Sequence, residues 1–166
     1  MDISAAQIAE ISKSVWSSML GLDIQESAPV ELPRADERYM IGSIQITGGW
    51  NGVVTLACPS TLSREVAALM FGVELEKATP SEIQDAWGEI TNMIGGNIKS
   101  LIQGSSQLSL PTVAEGRDFC MGIPGVRPRG KHFFACNGQA FVIELLEKDG
   151  GTHSSTSGRA KALAAV

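Results

Sequence analysis

Thr79-Pro80-Ser81-Glu82-Ile83-Gln84-Asp85-Ala86-Trp87-Gly88-Glu89-Ile90-Thr91-Asn92-Met93-Ile94-Gly95-Gly96-Asn97-Ile98-Lys99-Ser100-Leu101-Ile102-Gln103-Gly104 is the most strongly signalled stretch of this chain. Thr79 suits an N-cap, Pro80 suits the first helical position, and Glu82 can complete a capping box. The spacing predicts a helix from there to Ile102, stopped by Gly104. At roughly 100° per residue, Ile83, Trp87, Ile90, Ile94, Ile98 and Leu101 gather within about 40° of one direction, the core face. Asp85, Glu89, Asn92, Gly96 and Lys99 gather on the opposite, solvent face.

The flanking sequence supplies partners for that core face. Upstream, residues 3–20 carry apolar side chains at helical spacing, with Gly21 as the stop. Tyr39–Ile46 and Val53–Cys58 read as a hairpin around a turn at 47–52, and a short helix follows from Pro59 to Phe71. Downstream, Gln107–Val113, His132–Cys136 and Gln139–Leu146 read as strands. The last two are joined by Asn137-Gly138, a dipeptide suited to a tight hairpin turn. This order implies an α+β fold, an antiparallel β-sheet packed by helices. Residues 1–149 are expected to form the single domain, and the polar, glycine- and serine-rich tail 150–166 to be disordered and outside the core.

Composition narrows the class. The chain has 166 residues, 43% of them hydrophobic and 19% charged, which is ordinary globular usage. No apolar run approaches the roughly 18 residues of a membrane helix. The start, Met1-Asp2-Ile3-Ser4, lacks the basic-then-apolar pattern of a secretory leader, so a cytoplasmic location is expected. A net charge of −5 argues against binding a nucleic-acid backbone. Cys58, Cys120 and Cys136 are widely spaced and read as reduced, structural thiols rather than metal ligands.

The solvent face of the long helix holds Asp85, Glu89 and Asn92 at i, i+4 and i+7. A polar stripe of this kind is most often only a solvated face. Here Asn sits mid-helix, where it is an indifferent helix former, and Gly88, Gly95 and Gly96 each weaken a helix interior by about 1 kcal/mol relative to Ala. Such glycines beside an acid and an amide would let another protein's backbone approach.

The pattern Asp85-x-x-x-Glu89-x-x-Asn92 resembles the signature of the CheC/CheX/FliY chemotaxis phosphatases. Gly52-Val53-Val54-Thr55-Leu56, Leu69-Met70-Phe71-Gly72 and Leu108-Ser109-Leu110-Pro111-Thr112-Val113 are similar to that family's flanking segments. The resemblance covers residues 5–147. A single Glu-x-x-Asn helix, where CheC-type members have two, resembles the CheX-like branch. Pro111 falls closer to Asn92 than the family's proline usually does.

The resemblance implies a hydrolase of two-component signalling: a protein phosphatase that removes the aspartyl phosphate of a CheY-type response regulator. It assigns Asn92 to positioning the attacking water and Glu89 to pairing with the receiver's lysine. Asp85, Gly88 and Gly96 would border the partner. No cofactor of its own is implied, Mg2+ being expected on the partner receiver, and the family suggests a homodimer. The rival reading is a non-catalytic module of the same fold that docks a receiver or a flagellar-switch component.

Other motifs carry less. Gly95-Gly96-Asn97-Ile98-Lys99-Ser100 lacks phosphate-loop spacing and lies inside the predicted helix. His132 and His153 are isolated, without a triad or metal partner. Arg127-Pro128-Arg129-Gly130-Lys131 reads as a solvated loop, and Trp50 as a packing or dimer contact at a hairpin tip.

Overall fold

The structure is a computed structural model and describes residues 3–32, 36–117 and 121–149, together with the backbone of 159–162. Helix α1 (Ala5–Leu20) opens on a capping box, in which Gln7 N–H donates to Ser4 Oγ at 3.3 Å, and closes at Gly21 with φ +64°. After the short β1 (Gln25–Glu26), the predicted hairpin is present as β2 (Tyr39–Gly48) and β3 (Gly52–Pro59). Then come α2 (Ser60–Phe71) and α3 (Pro80–Ser100). The chain continues through β4 (Ser106–Leu108), β5 (Thr112–Gly116), β6 (Met121–Pro124), β7 (Val126–Cys136) and β8 (Gln139–Lys148).

The seven-stranded sheet runs β1-β7-β8-β3-β2, with β4 and β5 both on the outer edge of β2, and every pairing in it is antiparallel. Alternation decides what each face buries. Met40, Ile44, Val54, Leu56, Phe141 and Ile143 join Trp16, Leu62, Val66, Trp87 and Ile90 in the main core between sheet and helices. Trp16 stacks on Phe141 at 4.5 Å and meets Trp87 edge-on at 6.3 Å. Tyr39, Ile41, Ala57 and Val142 form a smaller cluster with Leu32.

Helix α3 lies close over β2 because two glycines remove the side chains that would separate them. A Cβ built on Gly42 would fall 2.0 Å from Thr91 Oγ1, and one on Gly95 would fall 2.6 Å from Ile44 Cγ2. Gly95 therefore serves the chain's own sheet and is not a point of approach for another protein. Trp87 adds a directional tie, its Nε1–H donating to the Leu56 carbonyl at 3.2 Å.

Several sequence-based expectations shift. Helix α3 ends at Ser100, with Leu101 as its cap at 39% exposure, so Leu101 leaves the core face. Gly104, at φ +86°, lies beyond the helix end. The expected strand 107–113 is broken into β4 and β5. The basic stretch 127–131, expected as a solvated loop, is part of β7, with an irregularity between Pro128 and Gly130. Its strand pairing sets Arg127 opposite Glu147 and Lys131 opposite Glu144. Arg127 reaches Glu147 at 2.7 Å, Arg129 reaches it at 3.6 Å, and Lys131 reaches Glu144 at 3.6 Å. Proline and glycine hide such a strand from propensity, while cross-strand ion pairs support it.

Trp50 is 4% exposed and its Nε1–H donates to Glu147 Oε1 at 3.0 Å, which settles it as a packing residue. Asn137 and Gly138 both have positive φ, as the tight hairpin requires. Cys58 and Cys136 are buried free thiols, and burial pushes both pKa values up; Cys120 lies outside the described residues. Of the tail, residues 159–162 form β9, paired antiparallel with β6. Residues 150–158 and 163–166, where the expectation of disorder falls, lie outside the described residues.

Candidate active site on helix α3

The first turn of α3 is fixed before its polar row begins. Glu82 N–H donates to Thr79 Oγ1 at 3.3 Å, while Thr79 N–H and hydroxyl each donate to Glu82 Oε2 at 2.8 Å. These donors hold the Glu82 carboxyl below its ordinary pKa, the backbone N–H contributing most. The helix then carries Asp85, Glu89 and Asn92 along one side, spanning about 10 Å of axis at 1.5 Å per residue. Asp85 and Glu89 are exposed and Asn92 is half-buried.

The three side chains share one groove of about 460 Å³, also lined by Gln84, Gly88, Leu110, Pro111 and Val113. Among the described residues, no lysine or arginine lines it. Two carboxylates and no cation repel a free phosphate and favour a positive group brought by a partner. Among the described residues, no group of three or more His, Cys, Asp or Glu is placed to hold a metal ion.

The two asparagines of α3 differ in a way the sequence could not reveal. Asn97 Nδ2 donates to the Met93 carbonyl at 2.8 Å, so its amide is spent on its own helix. Asn92 has no such tie among the described residues and presents both donor and acceptor to the groove. Gly88 is buried in the groove floor; a Cβ there would meet Val113 at 3.5 Å and Pro111 at 3.8 Å, ordinary contacts. Gly96, farther along the row, faces open space, with nothing within 4 Å of a built Cβ. Of the expected site residues, Asp85, Gly88, Glu89 and Asn92 come together in the groove, and Gly96 continues the helix face beyond it.

The opposite wall was not legible beforehand. Leu110 and Pro111, where the chain leaves the sheet ladder between β4 and β5, close the groove together with Val113 of β5. A proline inside an otherwise strand-like run was the available signal. The isolated His132 sits half-buried in β7, where desolvation lowers its pKa, away from the groove.

The site is thus an open helix face that presents two carboxylates and an unengaged amide beside an antiparallel α+β sheet. The family model described as chemotaxis phosphatase CheX matches residues 40–136, and the chain belongs to that family. No curated protein matches the sequence. Among solved structures, the chemotaxis protein CheX from Desulfovibrio desulfuricans superposes with a TM-score of 0.66 at 22% identity, covering 86% of this chain and 98% of that one. CheX from Vibrio vulnificus gives 0.66 at 21% identity, covering 88% and 100%. A chain of the CheX-CheY-BeF3-Mg2+ complex from Borrelia burgdorferi gives 0.60 at 14% identity, covering 86% and 97%. These similarities show the shared fold.

Proposed function

We propose that this protein hydrolyses the aspartyl phosphate of a CheY-type receiver domain, with α3 as the reactive surface. The observation that carries the reading is the Asn92 amide, unengaged among the described residues, beside Glu89 in a groove that none of their lysines or arginines lines. Support comes from membership of the CheX phosphatase family and from the fold shared with a CheX seen in complex with CheY, BeF3 and Mg2+.

Aspartyl phosphate hydrolysis is an in-line displacement in which water attacks phosphorus and the receiver's carboxylate leaves. The protein's contribution to such a step is chiefly positioning. Asn92 offers a carbonyl oxygen to accept a water hydrogen, and an N–H to orient the water or the phosphoryl oxygen. An amide does this without a negative charge, whereas an aspartate in its place would repel the incoming phosphoryl group. Glu89, one turn earlier, pairs with the receiver's lysine and sets the register of the complex. Asp85 borders the docking surface, Gly88 lies in its floor, and Gly96 leaves room for close approach of the partner backbone. Mg2+ belongs to the receiver's own site and supplies charge neutralisation there.

The functional unit is a homodimer formed through exposed sheet edges. The β5 edge, residues 112–116, is largely solvent-exposed, and among the described residues β5 pairs with β2 alone, leaving its other edge open.

The test is to incubate the protein with phosphorylated CheY-type receivers from the same genome and follow loss of the acyl phosphate. Accelerated loss on a cognate receiver is the expected result. Tight binding without acceleration would replace this reading with a docking module, and neither binding nor acceleration would discard both.

A further inference from the structure

Leu110 is 87% exposed, far more than any other large apolar side chain among the described residues. A lone exposed leucine is unremarkable on a protein surface. This one is held in place by a built feature. The ladder pairs Ile46 with Leu108 and Ser43 with Thr112. Between those pairs, β2 has Gln45 and Ile44, while the facing segment has Ser109, Leu110 and Pro111. That is one extra residue, a bulge, and bulges beside functional sites re-aim a side chain.

The bulge is pinned on both sides. Ser109 N–H donates to the Gln45 carbonyl at 2.9 Å. Gln45 N–H then donates to Ser109 Oγ at 3.0 Å, so the hydroxyl stands in for the missing ladder carbonyl. The same hydroxyl donates to the Leu110 carbonyl at 2.8 Å. On the far side Pro111 fixes its own φ, and its ring lies beside Gly88, where a built Cβ would be 3.8 Å from the Pro111 Cγ. The chain therefore holds Leu110 at the rim of the groove that contains Glu89 and Asn92.

We infer that Leu110 is a docking residue for the receiver, burying its side chain against an apolar residue beside the lysine that meets Glu89. This rests on the receiver-directed reading above. The groove's two walls differ in kind: carboxylates on α3 call for a cation, and Leu110 with Pro111 calls for an apolar neighbour. A partner face that satisfies both is a lysine flanked by an apolar side chain. Leu110 touches no reacting atom, so its effect belongs in association and not in the chemical step.

The experiment titrates a cognate receiver in its BeF3-Mg2+ form against wild type, Leu110→Ala, Leu110→Asp and Leu110→Met. Single-turnover dephosphorylation at saturating protein is measured in parallel. Burial of a leucine predicts that Leu110→Ala raises Kd about tenfold, with Leu110→Asp worse and Leu110→Met close to wild type. The saturated rate should stay within about threefold, since positioning by Asn92 is untouched. The exposed side chain lies outside the core, and a thermal melt checks that each variant stays folded. Unchanged Kd for Leu110→Asp overturns the inference while leaving the phosphatase reading intact, as does a fall in saturated rate without a change in Kd. A wild type that binds the receiver without turnover sinks the phosphatase reading, and the Kd series still decides on Leu110. A wild type that binds no receiver overturns both.

Discussion

Gly42 of β2 and Thr91 of α3 meet so closely that a Cβ on the glycine would lie 2.0 Å from the threonine Oγ1. Thr91 cannot easily turn away, because its hydroxyl donates to the Trp87 carbonyl at 2.7 Å inside a fully packed core. This contact and the neighbouring pair Gly95–Ile44 set the height of α3 above the sheet, and therefore the depth of the groove that holds Asn92.

Gly42→Ala should consequently destabilise the fold by about 1–3 kcal/mol, the usual range for forcing atoms into a packed core. Chemical denaturation of the variant measures this directly. Pairing it with Thr91→Ala should recover part of the loss, since the clash is with the threonine side chain. Full additivity of the two losses would show that the contact does not set the packing.

Gly96 offers the opposite case on the same helix. With nothing near its absent Cβ, Gly96→Ala should gain up to about 1 kcal/mol of stability through helix propensity. If the partner backbone passes over this position, the same variant should bind the receiver more weakly. Raised melting temperature with unchanged affinity would remove Gly96 from the docking surface.

The contrast between these glycines shows what the sequence could carry. Helix α3 was legible in full at its start, because capping residues act locally, and its core face was legible through Ile98, because burial follows helical period. Its end was not: Gly104 marks a turn beyond the helix, while the last helical turn closes on Leu101. Glycine by itself cannot say which neighbour comes close. Gly95 faces Ile44 of its own sheet, Gly88 sits under Pro111, and Gly96 faces solvent, yet all are one letter in the sequence. Strand β7 was half hidden for a related reason, since its entry contains Pro128 and Gly130 and depends on carboxylates of β8. Asp85, Glu89 and Asn92 were legible as a row; the wall formed by Leu110 and Pro111 was not, because a bulge needs the partner strand to define it.

Glu147 gives the fold an acid-sensitive tie. Hydrogen bonding from Arg127 lowers its pKa most, with Trp50 and the nearby Arg129 adding to the effect. A carboxyl with a depressed folded pKa contributes stability that is present above its unfolded pKa and lost as pH falls through the folded value. Glu147→Gln should therefore lower stability at neutral pH and reduce its pH dependence below about pH 4. Urea midpoints measured across that range for both proteins test this, and parallel curves would contradict it.

Assembly through the β5 edge predicts a dimer in solution at tens of micromolar, where contacts of about micromolar affinity are populated. Light scattering measures the mass. Val113 points toward the groove side and is best left alone, so Glu115→Pro is the edge-breaking variant, removing a backbone donor and the ion pair with Arg38. A monomeric wild type would contradict the proposed assembly.

The central claim is that Asn92 orients the attacking water, and single-turnover dephosphorylation of a saturated receiver complex tests it most directly. Asn92→Ala should slow that step by about 10²-fold or more, the typical loss on removing one group that acts in the transition state. Its affinity for the BeF3-Mg2+ receiver should stay within a few fold, and its melting temperature should barely move, because the side chain is only half-buried and makes no internal hydrogen bond among the described residues. A saturated rate equal to wild type would contradict the account.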